Sequence, residues 1–193
     1  QSNMTAQPSA SSAPPVPLPE WSVQEWLNSD RAFNVADLRG RVAVVHAFQM
    51  LCPGCVSHGL PQARRVREVF AEREVTVVGL HTVFEHHAVM NAEALRAFNH
   101  EYRWPFPIGI DAAQPGDAIP RTMRAYGLRG TPSLIVLDRH GHVRLHHFGQ
   151  IDDMALGGLI GRLLAEPGQG ADALPGHAGS NAAPGCADGV CAI

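Results

Sequence analysis

Continuous apolar blocks alternate along this chain with stripes of helical period. Val42-Ala43-Val44-Val45-His46-Ala47-Phe48 is unbroken and rich in β-branched residues, which predicts a strand buried on both faces of a sheet. Val75-Thr76-Val77-Val78-Gly79-Leu80 predicts a second such strand. Between them Val56, Leu60, Ala63, Val66 and Phe70 recur at helical spacing, with Arg64, Arg65, Arg67 and Glu68 on the other side. Pro61 inside that stripe predicts a kink. A strand, a helix and a second strand with so long a crossover predict a parallel pair in an α/β sheet.

The flanking segments extend this pattern. Trp21, Trp26 and Leu27 predict a short helix over one edge of the domain, and Asp37-Leu38-Arg39-Gly40 a turn. After a loop from His81 to Ala88, Asn91 to Tyr102 predicts a helix with Ala94, Leu95 and Phe98 inward. Pro105 to Asp111 predicts a short strand, and Pro120 to Tyr126 a short helix ending at Gly127. Ser133 to Leu137 and His142 to Phe148, joined through Asp138-Arg139-His140-Gly141, predict a hairpin. Asp152 or Asp153 caps a last helix whose Leu156, Leu159, Ile160 and Leu163 share a face. The Ser, Ala and Pro of residues 1–19 predict a disordered lead-in, in which Gln1-Ser2-Asn3 before Met4 reads as a tag remnant. The domain proper is expected over 20–165. Residues 166–193, rich in Gly, Ala and Pro, are expected to form a flexible tail that carries Cys186 and Cys191.

Composition narrows the class. A chain of 193 residues suits one domain with tails and can bury a core without disulfide staples. A formal net charge of -3 with scattered Lys and Arg gives no basic stripe for nucleic acid. No apolar run is long enough to span a bilayer, so no membrane partner is expected. No secretory signal is visible after Met4, which predicts a cytoplasmic address; a chain starting after a removed signal peptide would instead be periplasmic.

The candidate chemistry sits where the first buried strand meets the first helix. Cys52-Pro53-Gly54-Cys55 places two sulfurs at the spacing of a redox pair. Near a helix N-terminus, orphan N–H groups and the helix dipole favour a thiolate at the first cysteine and lower its pKa. Two bland alternatives stand beside this: a packed pair of small hydrophobes, or half of a zinc site that would need two more ligands. Eleven histidines, among them His86-His87 and His146-His147, show no regular ligand spacing, so no metal site is expected.

Phe48, the Cys52-Pro53-Gly54-Cys55 motif, Val78-Gly79-Leu80-His81, Tyr126-Gly127-Leu128-Arg129-Gly130-Thr131-Pro132 and Val136-Leu137-Asp138 follow one another in an order that resembles the thioredoxin fold. More narrowly the chain resembles the TlpA-like redoxins, related to AhpC/TSA proteins, from about Trp21 to Leu164. The resemblance implies an α/β thioredoxin fold, a central mixed sheet flanked by helices with flexible tails. It implies a thiol-disulfide oxidoreductase whose nucleophile is Cys52 and whose resolving thiol is Cys55, with no cofactor beyond the redox-active disulfide. It further implies a cis Thr131-Pro132 bond that sets Thr131 beside the sulfurs, where Thr131, Pro132 and Pro53 meet a disulfide-bearing protein or small thiol. An electron donor is also implied. Leu51 stands where thioredoxins carry Trp, and His46 where they bury Asp. A buried neutral His46 relays the proton of Cys55, or is a core histidine bonded to backbone; both readings stand. His58 either favours the thiolate or is an exposed helix residue.

Peroxiredoxins share this core and are the rival enzyme. They need Thr three residues before the reactive cysteine and Pro four residues earlier, where Gln49 and Val45 stand. A non-catalytic binding module using the Pro132 face is the other alternative. Cys186 and Cys191 form a second candidate dithiol, a redox relay whose tether reaches on the order of 25 Å.

Overall fold

The computed structural model describes residues 16–167. Its centre is β2 (Val42–Phe48), in which every residue is buried, as the unbroken apolar run predicts. It pairs in parallel with β3 (Val75–His81), also buried throughout, and antiparallel with β5 (Ser133–Leu137). β4 (Ile108–Asp111) joins β3 in parallel, and β6 (Val143–Phe148) closes the hairpin with β5. With β1 (Val23–Leu27) the mixed sheet has six strands in the order β1-β4-β3-β2-β5-β6. Four helices complete the α/β thioredoxin fold: α1 (Leu60–Val69), α2 (Ala92–Tyr102), α3 (Arg121–Ala125) and α4 (Asp153–Ala165).

The sheet separates two cores. On one face the β2 side chains Val42, Val44 and Phe48 pack with Leu60, Ala63 and Val66 of α1, Leu95 of α2 and Leu156, Ile160 and Leu163 of α4. On the other, Val45, Leu80, Ile135 and Leu137 meet Met123 and Tyr126 together with Leu18, Trp21 and Leu38. Each large aliphatic or aromatic side chain so buried stabilises the fold by about 1.5–3 kcal/mol in transfer terms.

Two expectations are corrected. Trp26 and Leu27 lie in a strand, not a helix: β1 runs antiparallel to β4 with a bulge between Val23 and Glu25. The open edge of β4 supplies the hydrogen-bonding groups, and Gly109 leaves room for Val23 and Trp26 against its backbone. Residues 16–19, expected in the lead-in, pack on the domain instead: Leu18 is buried, Val143 N–H donates to the Val16 carbonyl, and the Tyr126 hydroxyl donates to the Pro19 carbonyl at 2.9 Å. The irregularity expected at Pro61 has a local cause in the turn before it. Residues Cys55–Gly59 form a π-helical turn, closed by Leu60 N–H to the Cys55 carbonyl, immediately before the residue that has no N–H to give. Cys186 and Cys191 lie outside the described residues.

Candidate active site

β2 ends at Phe48, and Phe48, Gln49 and Met50 are tied to the end of β3 and the loop after it. Thr82 N–H donates to the Phe48 carbonyl at 3.0 Å, Met50 N–H to His81 Nε2 at 3.4 Å, and Phe84 N–H to the Gln49 side-chain oxygen at 3.1 Å. The Gln49 amide in turn donates to Glu85 at 3.2 Å. Gln49 is buried and fully engaged in holding this loop.

Cys52 directly precedes the helical residues that begin at Pro53, a proline at the first helical position where its missing N–H costs nothing. Cys52 Sγ accepts the Cys55 N–H at 3.3 Å, so the helix start offers the sulfur a donor that favours thiolate. The two cysteines are joined as a disulfide, with their Cα atoms 5.2 Å apart. Cys52 is part-exposed and Cys55 is 0% exposed. Only the first sulfur meets solvent, an asymmetry that separates an attacking from a resolving position.

The Thr131–Pro132 peptide bond is cis. Thr131 O lies 3.5 Å from Cys52 Sγ, and Pro132 stands against Gly54, where a Cβ would sit 3.3 Å from the proline ring. β5 begins only at Ser133, so the Thr131 peptide lies just outside the sheet, beside the sulfur.

His46 is 2% exposed and faces the Cys55 helix. A Cβ on Gly59 would overlap its Cε1 and stand 2.9 Å from its Nε2. Burial pushes the imidazole down to about 4, with nearby His58 adding to the shift, and its Nδ1 has no hydrogen-bond partner. His81 is likewise pushed down to about 4 by burial. His58 is half-buried: its Nε2 donates to the Ile151 carbonyl at 3.0 Å, alongside the Gln62 amide at 2.9 Å. The exposed-helix reading of His58 gives way to a tie between the π turn and the segment entering α4.

Sequence reasoning did not single out Gly59, and it named Gln49 and His81 without their roles in holding the loop before Cys52. A glycine inside a helical stripe is the one signal that pointed at a close approach; no local pattern marks the other two. Among the described residues no three His, Cys, Asp or Glu side chains gather to hold a metal, and no helix is long and apolar enough to cross a membrane. A cavity of about 260 Å³ lies elsewhere, lined by His81, Val83, Met90 and Asp111 among others, and neither cysteine contributes to it.

Comparison with known proteins agrees with this geometry. A thioredoxin-like superfamily protein of known structure is 53% identical, covering 79% of this chain and 98% of its own, with a TM-score of 0.77. A thiol-disulfide isomerase from Corynebacterium glutamicum is 52% identical over 78% of this chain and 97% of its own, with a TM-score of 0.75. The thiol:disulfide interchange protein DsbE of Pseudomonas aeruginosa is 28% identical over 156 residues, 78% of this chain and 77% of its own. The model of the AhpC/TSA family matches residues 14–146, and the chain belongs to that family.

Proposed function

We propose that this protein is a thiol-disulfide oxidoreductase that exchanges disulfides with protein or small-thiol partners through Cys52 and Cys55. The carrying observation is the unequal pair: a part-exposed Cys52 at a helix start, bonded to a fully buried Cys55. In the reducing direction the Cys52 thiolate attacks one partner sulfur, forming a mixed disulfide and releasing the other partner sulfur as thiolate. Cys55 then loses its proton and attacks Cys52 Sγ, releasing the second partner thiol and leaving the internal disulfide, with two electrons passed to the partner. The names of two relatives, an isomerase and an interchange protein, support the same reaction class.

Thr131, Pro132 and Pro53 form the surface on which the partner chain is held, with the Thr131 carbonyl 3.5 Å from the reacting sulfur. His46 relays the Cys55 proton rather than holding it. It is neutral, its Nδ1 is unpartnered, and its ring packs on Gly59 in the turn that starts at Cys55. The sulfurs themselves carry the electrons, so the reaction needs an external thiol donor and no bound cofactor. Peroxide reduction is the weaker reading, because the Gln49 amide at the polarising position is taken up by Phe84 and Glu85.

The test is turnover of a model protein disulfide with dithiothreitol. Cys52→Ser is expected to abolish it, and Cys55→Ser to accumulate the mixed disulfide. Turnover that survives Cys52→Ser would overturn the assignment. His46→Asn is expected to lengthen the life of the mixed disulfide and change its pH profile without altering the first attack. Replacing Cys186 and Cys191 by serine tests the tail relay, through loss of turnover with at least one dithiol donor.

A further inference from the structure

Leu51 leaves the sulfur without the aromatic neighbour a thioredoxin has, but an aromatic ring stands beside the segment that carries Thr131. The ring of Phe148, 44% exposed at the end of β6, lies over Gly130, where a Cβ would come within 2.9 Å of it. Phe148 is also the cross-strand partner of Ser133. The Arg129 guanidinium lies 5.1 Å from the centre of that ring. Arg129 is exposed and has no ion-pair partner among the described residues. Its backbone is two residues from Thr131, whose carbonyl faces Cys52 Sγ. Stacking on the ring limits the arginine's freedom and leaves its donors pointing to solvent.

We propose that Arg129, held on Phe148, selects partners that carry a carboxylate within about two residues of the cysteine being attacked. This deepens the thiol-disulfide reading above and rests on it. An extended segment advances about 3.3 Å per residue, so a partner sulfur at Cys52 brings residues one or two places away within the reach of an arginine side chain two positions from Thr131. Glu85, the acidic group joined to the loop before Cys52, is engaged by the Gln49 amide. Leu51, 59% exposed, offers apolar contact next to the sulfur. The whole chain carries a formal charge of -3, which repels acidic partners, so an acidic preference has to come from a local cation.

The experiment uses the full chain, reduced with dithiothreitol and freed of it. It measures single-turnover reduction of three homodimeric peptide disulfides, identical except for Glu, Gln or Lys two residues from the cysteine. Chromatography follows the released peptide thiol; Cys52 and Cys55 supply both electrons and end as their internal disulfide. The Glu peptide is expected to react roughly fivefold faster than the Lys peptide at low ionic strength, a ratio that shrinks as salt screens the pair. Arg129→Glu should invert the ratio, and Arg129→Lys should keep its sign. A wild-type ratio within twofold of one, or a ratio that Arg129→Glu leaves in place, would overturn the inference. Hydroxyethyl disulfide, which is uncharged, separates the two levels: no reaction with it or any peptide defeats the functional reading, whereas reaction with it and an even peptide ratio defeats this inference alone.

Discussion

At Gly59 the fold has no room for a side chain. The His46 ring fills the place a Cβ would take, and β2, which carries that ring, is buried throughout and leaves it no room to retreat. The backbone there is helical, with φ -61°, so sterics rather than strain decide the outcome. Gly59→Ala is expected to cost about 1–3 kcal/mol, as overpacking does in a dense core. In a His46→Ala background most of that penalty should vanish; denaturant unfolding of the four proteins measures the coupling. Equal penalties in both backgrounds would mean that the ring is not the obstacle. Gln49 is a second such residue. Gln49→Ala would leave the Phe84 N–H unpaired and free the loop that follows β3, an expected loss of about 1–3 kcal/mol with faster hydrogen exchange at Phe84.

Elements differ in how openly their causes are written. β2, β3 and the α1 stripe follow directly from local pattern, because a strand covered on both faces must be apolar throughout and a one-sided helix must be apolar every third or fourth residue. α4 is equally legible. Asp152 caps it by accepting from the N–H groups of Met154 at 2.9 Å and Ala155 at 3.2 Å, and Asp153 joins Arg65 of α1 at 2.8 Å. Asp152→Ala is expected to lower stability by about 1 kcal/mol, which for a domain of this size is a melting temperature roughly 2–4 °C lower by calorimetry. β1 was not legible, since the same Trp26-Leu27 pattern serves a helix or an edge strand until β4 offers its open side. The π turn was legible only in part. Pro61 signals a break in the ladder, but the widening of the preceding turn goes with how that turn packs over His46.

For the molecule as a whole, two buried imidazoles make folding sensitive to acid. His46 and His81 are pushed down to about 4 by burial, while in the unfolded chain they titrate near 6.5. Between those values the unfolded chain takes up protons that the folded one does not, so stability is lost as pH falls from about 6.5 towards 4. Each histidine contributes on the order of 3 kcal/mol to that loss, comparable together with the whole stability of a typical domain. Asp111 opposes the trend, because burial raises its carboxyl and the folded form gains a proton first as pH falls. Urea midpoints are expected to drop steadily from pH 7 to pH 4.5, with a flatter slope for a His46→Asn, His81→Gln double variant. An unchanged slope would show that neither ring titrates on unfolding.

By itself the sequence determined the α/β alternation, the site of the sulfurs between β2 and the first helix, and the Thr131-Pro132 stretch, because buried strands, helical stripes and the motif residues are set by their own neighbours along the chain. The tertiary structure decided what surrounds the sulfurs. Ile151 binds His58 across 93 residues, and Phe148 reaches Gly130 through the hairpin. None of these contacts has a local pattern, since each depends on which strands neighbour β2 and on how closely the chain packs against its glycines.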